Sequence, residues 1–189
     1  MDFNEDIKNA LEVLRSGGVI LYPTDTIWGL GCDPTNKEAI DKIFRIKSRA
    51  SSKSLIILVN NDSMLSRYVK EIPETAIQLI NVSDSPLTIV YPEGKNLAPG
   101  VCSENGSVGI RICNDHFCNE LISRFRKPLV STSANLSGNN PPAVFDEIEQ
   151  EIINTVDYVV KHRQNDRQKH SASPVIKIDK NGVLQILRM

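Results

Sequence analysis

The sequence predicts an α/β fold built on a twisted, mixed β-sheet with flanking helices. Two observations carry that reading. Helix-period segments and short apolar runs alternate through the first part of the chain, and strand-like runs then accumulate towards its end. The 189 residues, 40% of them hydrophobic and 24% charged, suffice for one domain with a real core, and no linker divides residues 1–189 into two.

The elements follow in order. Ile7, Ala10, Leu11 and Leu14 repeat at helical spacing, with Asn4 as N-cap and Gly17-Gly18 as the stop. Val19–Tyr22 reads as a buried strand ended by Pro23, and residues 23–31 as a loop. Asn36 caps a second helix whose Ile40, Ile43, Phe44 and Lys47 share one stripe. Ser54–Val59 is a buried strand, and short helices are predicted over Ser63–Val69 and Glu74–Ile80. Leu87–Tyr91 and Ser107–Ile112 are strands, His116–Arg124 a helix and Pro128–Ser131 a strand. Pro142 suits the first turn of a helix reaching Ile153. Asp157–Lys161, Val175–Ile178 and Val183–Leu187 are late strands, and the polar run from Lys161 to Ser173 is expected to be a mobile loop.

Bulk properties exclude several classes. A net charge of −1 argues against a uniformly basic nucleic-acid coat. No uninterrupted apolar stretch is long enough for a membrane span. The acidic N-terminus lacks the basic and apolar regions of a secretory signal, so a cytoplasmic location is expected, with Cys32, Cys102, Cys113 and Cys118 as free thiols. Cys113, His116 and Cys118 match no usual zinc spacing, and no metal site is assigned. His116, His162 and His170 have no triad partner evident from spacing, and Asp25 and Asp33 are too isolated to form a carboxylate pair.

Two triplets are the richest chemistry. Lys47-Ser48-Arg49 supplies an ammonium and a guanidinium at a helix end, with Lys53 nearby; these suit a triphosphate or simply complement the helix dipole. Ser133-Ala134-Asn135 lies in the run Ser131–Gly138, whose hydroxyls and amide suit phosphate or ribose oxygens, or a plain polar turn. Neither G-x-x-x-x-G-K-[ST] nor G-x-G-x-x-G occurs, so a phosphate here must rely on side chains and isolated N–H groups. Thr24, Asp25 and Thr26 follow a strand, where α/β sheets tend to place ligands, although Thr and Asp also favour ordinary turns. Arg111, near the end of an apolar strand, suits a carboxylate or an edge position.

Taken together, Gly18-Val-Ile-Leu-Tyr-Pro-Thr-Asp-Thr-Ile-Trp-Gly-Leu-Gly31, Lys47-Ser-Arg49, Val108-Gly-Ile-Arg111, Pro128-Leu-Val-Ser-Thr-Ser-Ala-Asn-Leu-Ser-Gly138 and Leu187-Arg188 resemble the YrdC-like family of threonylcarbamoyl-adenylate synthases, in its single-domain form. The resemblance implies a concave basic cavity. It implies formation of threonylcarbamoyl-adenylate and pyrophosphate from L-threonine, bicarbonate and ATP, with Mg2+ accompanying ATP. Separate transfer proteins would then carry the group to tRNA, and RNA contact is a further expectation. By position, Thr26, Arg111, Ser131 and Ser173 would meet threonine. Arg49, Lys53, Ser107, Ser133, Asn135 and Arg188 would meet ATP, and Lys47 and Arg49 would stabilise phosphate charge during displacement. Departures from the family pattern are Trp28 for tyrosine, Ala50 for proline, Lys53 for asparagine, Leu58 for a histidine, Pro141 for a serine and Pro174 for a hydroxyl residue. The alternatives are a noncatalytic module binding double-stranded RNA or tRNA, and a related nucleotide-binding carbamoyl- or acyl-adenylate enzyme.

Overall fold

A computed structural model describes residues 3–48 and 55–189; the expectations for Arg49, Ala50 and Lys53 therefore lie outside the described residues. Helix α1 (Phe3–Arg15) buries Ile7, Ala10, Leu11 and Leu14 as their spacing predicts. Gly17, at φ 80°, and Gly18, whose N–H reaches the Val13 carbonyl at 2.8 Å, close it. Asn4 is inside this helix rather than capping it, and its side-chain oxygen accepts from Arg124 Nη2 at 3.0 Å. Helix α2 (Lys37–Ile46) is capped by Asn36, which accepts from the Ala39 N–H at 3.1 Å.

The remaining helices are α3 (Asp62–Leu65), α4 (Glu74–Val82), α5 (His116–Phe125) and α6 (Gln150–Thr155). The strands are β1 (Ile20–Tyr22), β2 (Gly29–Gly31), β3 (Ile56–Val59), β4 (Thr88–Tyr91), β5 (Val108–Ile112), β6 (Leu129–Ser133), β7 (Tyr158–Val159), β8 (Val175–Ile178) and β9 (Leu184–Arg188). These nine form one sheet in the order β7-β1-β2-β6-β3-β5-β4-β8-β9. The pairs β1–β7, β3–β5 and β4–β8 are parallel and the other five antiparallel, so the sheet is mixed as predicted. No helix among the described residues is long and apolar enough to cross a membrane.

Three further expectations change. Residues 29–31, read as loop, form β2, hydrogen-bonded between β1 and β6. The helix expected from Pro142 is replaced by a 3-10 turn over Phe145–Glu147 and the short α6; Glu149, just ahead of α6, is engaged by the Leu136 N–H and the Asn139 amide. The segment from Lys161 to Ser173 is anchored: buried Asp6 accepts the N–H groups of Lys161 and His162, Arg163 Nη1 donates to the Thr24 carbonyl at 3.1 Å, and Ser173 is buried.

Candidate functional site

Cross-strand register decides what the cavity sees, because residues directly opposite one another share a sheet face. Ser131 pairs with Ile56, which pairs with Gly109; Arg111 pairs with Leu58 on one side and Thr88 on the other; Ser133 pairs with Gly29. All of these stand on one face. A Cβ on Gly31 would lie 2.6 Å from the Tyr22 ring, and one on Gly29 would lie 3.3 Å from the Ser131 hydroxyl. The two glycines of β2 thus leave space that the side chains of β1 and β6 use. The Tyr22 hydroxyl donates to the Val130 carbonyl at 2.9 Å, and burial pushes its pKa well up, so it stays a neutral phenol.

Above this face lies a cavity of about 190 Å³. Thr26, Arg111, Ser131, Ser133, Ser173 and Arg188 all line it, together with Pro141 and Ile56. Its volume is below the roughly 300–1,000 Å³ of drug-sized ligand sites, so it matches a small polar molecule or one end of a larger one. Leu58, despite its register with Arg111, is fully buried in the core and does not line the cavity.

The polar wall is tightly connected. Arg111 Nη1 donates to Ser173 Oγ at 3.2 Å, and Ser173 Oγ lies 2.8 Å from Thr88 Oγ1. Arg188 donates twice to the Ser173 carbonyl, from Nε at 3.1 Å and Nη2 at 2.7 Å. Burial, reinforced by the charge of Arg111, lowers the pKa of Arg188 from its ordinary value. Thr26 sits in a hydroxyl-braced turn: Thr24 Oγ1 lies 3.0 Å from Thr26 Oγ1, accepts the Thr26 N–H at 3.1 Å and donates to the Ile27 carbonyl at 2.8 Å.

Other expected residues stand off the cavity. Lys47 is 2% exposed, and its ammonium donates to the carbonyls of Ser133 and Asn135. The two triplets do meet, but the lysine holds the 133–135 segment instead of projecting into the cavity. Asn135 is likewise buried, and its amide donates to the carbonyls of Leu136 and Asn139 at 2.9 and 2.6 Å. The Ser107 hydroxyl lies 2.5 Å from that of Ser103, within the turn before β5. Sequence reasoning flagged Asp25 with Thr24 and Thr26 but missed its pairing with Arg111, and it missed Thr88. Asp25, read as isolated, has Oδ1 2.9 Å from Arg111 Nη2, with both side chains almost fully buried. Its position beside Thr26 was the only local signal.

Comparison with known proteins agrees with this architecture. The profile of the Sua5–YciO–YrdC family, described as Telomere recombination, matches residues 12–189. The chain is 34% identical over 163 residues to the threonylcarbamoyl-AMP synthase of Pseudoalteromonas translucida, across 85% of this chain and 87% of that protein. It is 36% identical over 150 residues to the enzyme of the same name from Blochmanniella pennsylvanica, across 78% and 77% of the respective chains. Its fold is similar to that of E. coli YciO, with a TM-score of 0.84 at 24% identity over 99% of this chain and 89% of that one. It is also similar to P. abyssi Sua5 complexed with L-threonine, with a TM-score of 0.86 at 24% identity; there it covers 100% of itself and spans about half, 54%, of the longer chain. By profile and by sequence identity alike, the chain belongs to the Sua5–YciO–YrdC family.

Proposed function

We propose that this chain is a threonylcarbamoyl-AMP synthase, reading 1–189 as one domain that uses L-threonine, bicarbonate and ATP. One observation carries the site assignment: Thr26, Arg111, Ser131 and Ser173, drawn from four distant segments, line the same cavity. In this reading Arg111 takes the threonine carboxylate, and the hydroxyls of Thr26 and Ser131 receive the threonine side chain. Ser173, clamped by Arg111 and Arg188, fixes the spacing between the two guanidiniums.

Bicarbonate gives up hydroxide as one C–O bond breaks, the threonine nitrogen bonds to the carbon dioxide carbon, and the proton lost from nitrogen joins the hydroxide as water, leaving the carbamate. An oxygen of the resulting carbamate attacks the α-phosphorus, and the bond to pyrophosphate breaks. Positioning and exclusion of water carry most of the task, since a carbamate is labile. Arg188 and Ser133 lie on the ATP side, with Arg49 and Lys53 assigned to phosphates from the sequence. The ammonium of Lys47 acts through the 133–135 segment, holding its backbone in place. Magnesium would accompany ATP and offset phosphate charge, with no protein ligand for it assigned. The product would pass to separate transfer proteins acting on tRNA.

The test is direct. Purified protein with ATP, bicarbonate and L-threonine should yield threonylcarbamoyl-AMP by mass spectrometry, with stoichiometric pyrophosphate. ATP consumption that does not depend on threonine would remove the synthase reading and favour another adenylate-forming reaction.

A further inference from the structure

Arg111 and Asp25 form the most deeply buried ion pair among the described residues, with side-chain exposures of 5% and 9%. The geometry is unusual. Nη2 and Oδ1 are 2.9 Å apart, yet they are not aligned as a hydrogen bond. Both Asp25 oxygens, with Nε and Nη2 of Arg111, are sealed from solvent without a hydrogen-bond partner. An exposed pair could turn into a two-pronged arrangement. Here the register of β5 fixes Arg111 and the Thr24–Thr26 turn fixes Asp25, so attraction between the charges is what joins them.

The other edge of Arg111 faces Ser173 and the cavity, across which stands Arg188. Arg188 responds to the charge of Arg111 as well as to burial. Two guanidiniums and one carboxylate leave this wall with a single net positive charge. One bound monocarboxylate brings it to neutrality.

We propose that Asp25 is a positioning residue that sets the charge of the cavity: it holds Arg111 in the wall and offsets its charge, so that a substrate carboxylate binds to a half-neutralised pair of arginines and remains free to leave. Only the identity of that carboxylate, threonine, rests on the synthase reading. Without Asp25, two like charges would face each other across Ser173 with no counter-ion. The empty site would be less stable, and an incoming carboxylate would gain more on arrival. The sign of this effect separates charge-setting from mere scaffolding. Loss of a structural partner weakens folding and binding together, whereas loss of a competing charge weakens folding and tightens binding.

The experiment compares the parent, Asp25→Asn and the double variant Asp25→Asn/Arg111→Met in low-salt buffer. Thermal unfolding is followed with and without sodium acetate, and L-threonine binding is measured by calorimetry. Asp25→Asn is expected to melt below the parent without ligand, to gain more from acetate, and to bind threonine at least roughly fivefold more tightly, the lower end of usual coupling between sites. The double variant should recover ligand-free stability and lose the response to acetate. A folded Asp25→Asn that binds acetate and threonine no better than the parent overturns the proposal. If Asp25→Asn does not fold, recovery of folding in the double variant supports it and failure to recover overturns it. Should the acetate response behave as expected while threonine adds nothing and no adenylate forms, the charge assignment stands and the synthase reading falls.

Discussion

Lys47 Nζ lies 2.7 Å from the carbonyl oxygen of Asn135, 88 residues away in the chain, and 3.3 Å from its Oδ1. With the Ser137 N–H donating back to the Lys47 carbonyl at 2.9 Å, the end of α2 and the segment after β6 are a single structure. Lys47→Met keeps the stem but leaves buried carbonyls without their charged donor. Each such orphan costs about 1–3 kcal/mol. Lys47→Met is therefore expected to lower stability by at least ~2 kcal/mol in urea unfolding, together with activity. Unchanged unfolding midpoints with lost activity would instead give Lys47 a direct role on substrate.

Gly31→Ala tests the space taken by Tyr22. The new methyl carbon would lie 2.6 Å from a Tyr22 ring carbon and 3.2 Å from the Val130 carbonyl oxygen. The Tyr22 ring is fully buried and its hydroxyl is tied to the Val130 carbonyl, and overpacking of this kind costs ~1–3 kcal/mol. The penalty should shrink in a Tyr22→Leu background, read as coupling in a double-mutant cycle.

Much of this architecture was written locally. The spacing of Ile7, Ala10, Leu11 and Leu14 gave α1, and Asn36 marked the start of α2, because helix period and capping act within a few residues. β2 left no such mark. Two of its three residues have no side chain, so hydrophobic alternation cannot appear, and only hydrogen bonds to β1 and β6 make it a strand. The Lys161–Ser173 segment looked mobile because it is polar, yet its anchors, Asp6 and Thr24, lie far earlier in the chain. At the cavity, the family resemblance named six lining residues, five inside its ordered motifs and Ser173 outside them, and it also named Lys47, Ser107 and Asn135, which stand off the cavity. The Asp25–Arg111 pair was invisible for a physical reason: a contact made by tertiary register leaves no spacing to read.

Arg111→Lys is a charge-conserving probe of the guanidinium. One edge reaches Ser173 at 3.2 Å and another faces Asp25 at 2.9 Å; a point ammonium cannot serve both sides as a planar fork does. Under the synthase reading, the loss of one charged hydrogen bond, about 1.5–3 kcal/mol, should raise the KM for threonine by ~10-fold or more. Equal KM values for parent and variant would detach Arg111 from the substrate.

Substrate choice checks the hydroxyl lining. A site that hydrogen-bonds a hydroxyl rejects an analogue lacking it, because its own groups are left unpaired. Threonine should exceed valine by at least ~10-fold in kcat/KM, with serine discriminated less strongly than valine. Valine used as well as threonine would refute a hydroxyl-reading role for Thr26 and Ser131, even with adenylate still formed.

His162 should make stability depend on pH. Its ring stacks on Phe117 at 5.4 Å and meets Phe3 edge-on at 5.3 Å. Burial, then the charge of Arg163, lowers its pKa, while Asp115 and Asp6 oppose this and His116 adds to it. The unfolded chain therefore binds the proton more readily. The contribution is intact above the ordinary histidine value, near 6.5, and is lost as pH falls through that value towards the depressed folded one. Between pH 7.5 and 5 the parent should lose more stability than His162→Gln, measured by urea unfolding. Parallel losses in both proteins would assign the pH dependence elsewhere.

The cavity wall joins Thr26, from the first loop of the sheet, to Arg188, from the strand at its far edge. During synthesis, the pocket therefore stays open on one side until β9 has emerged and paired with β8. A ligand that needs both walls stabilises only chains in which β9 is in place, by mass action. The outer edge of the sheet is thereby tied to the site: a ligand bound between Thr26 and Arg188 makes fraying of β9 from β8 more costly.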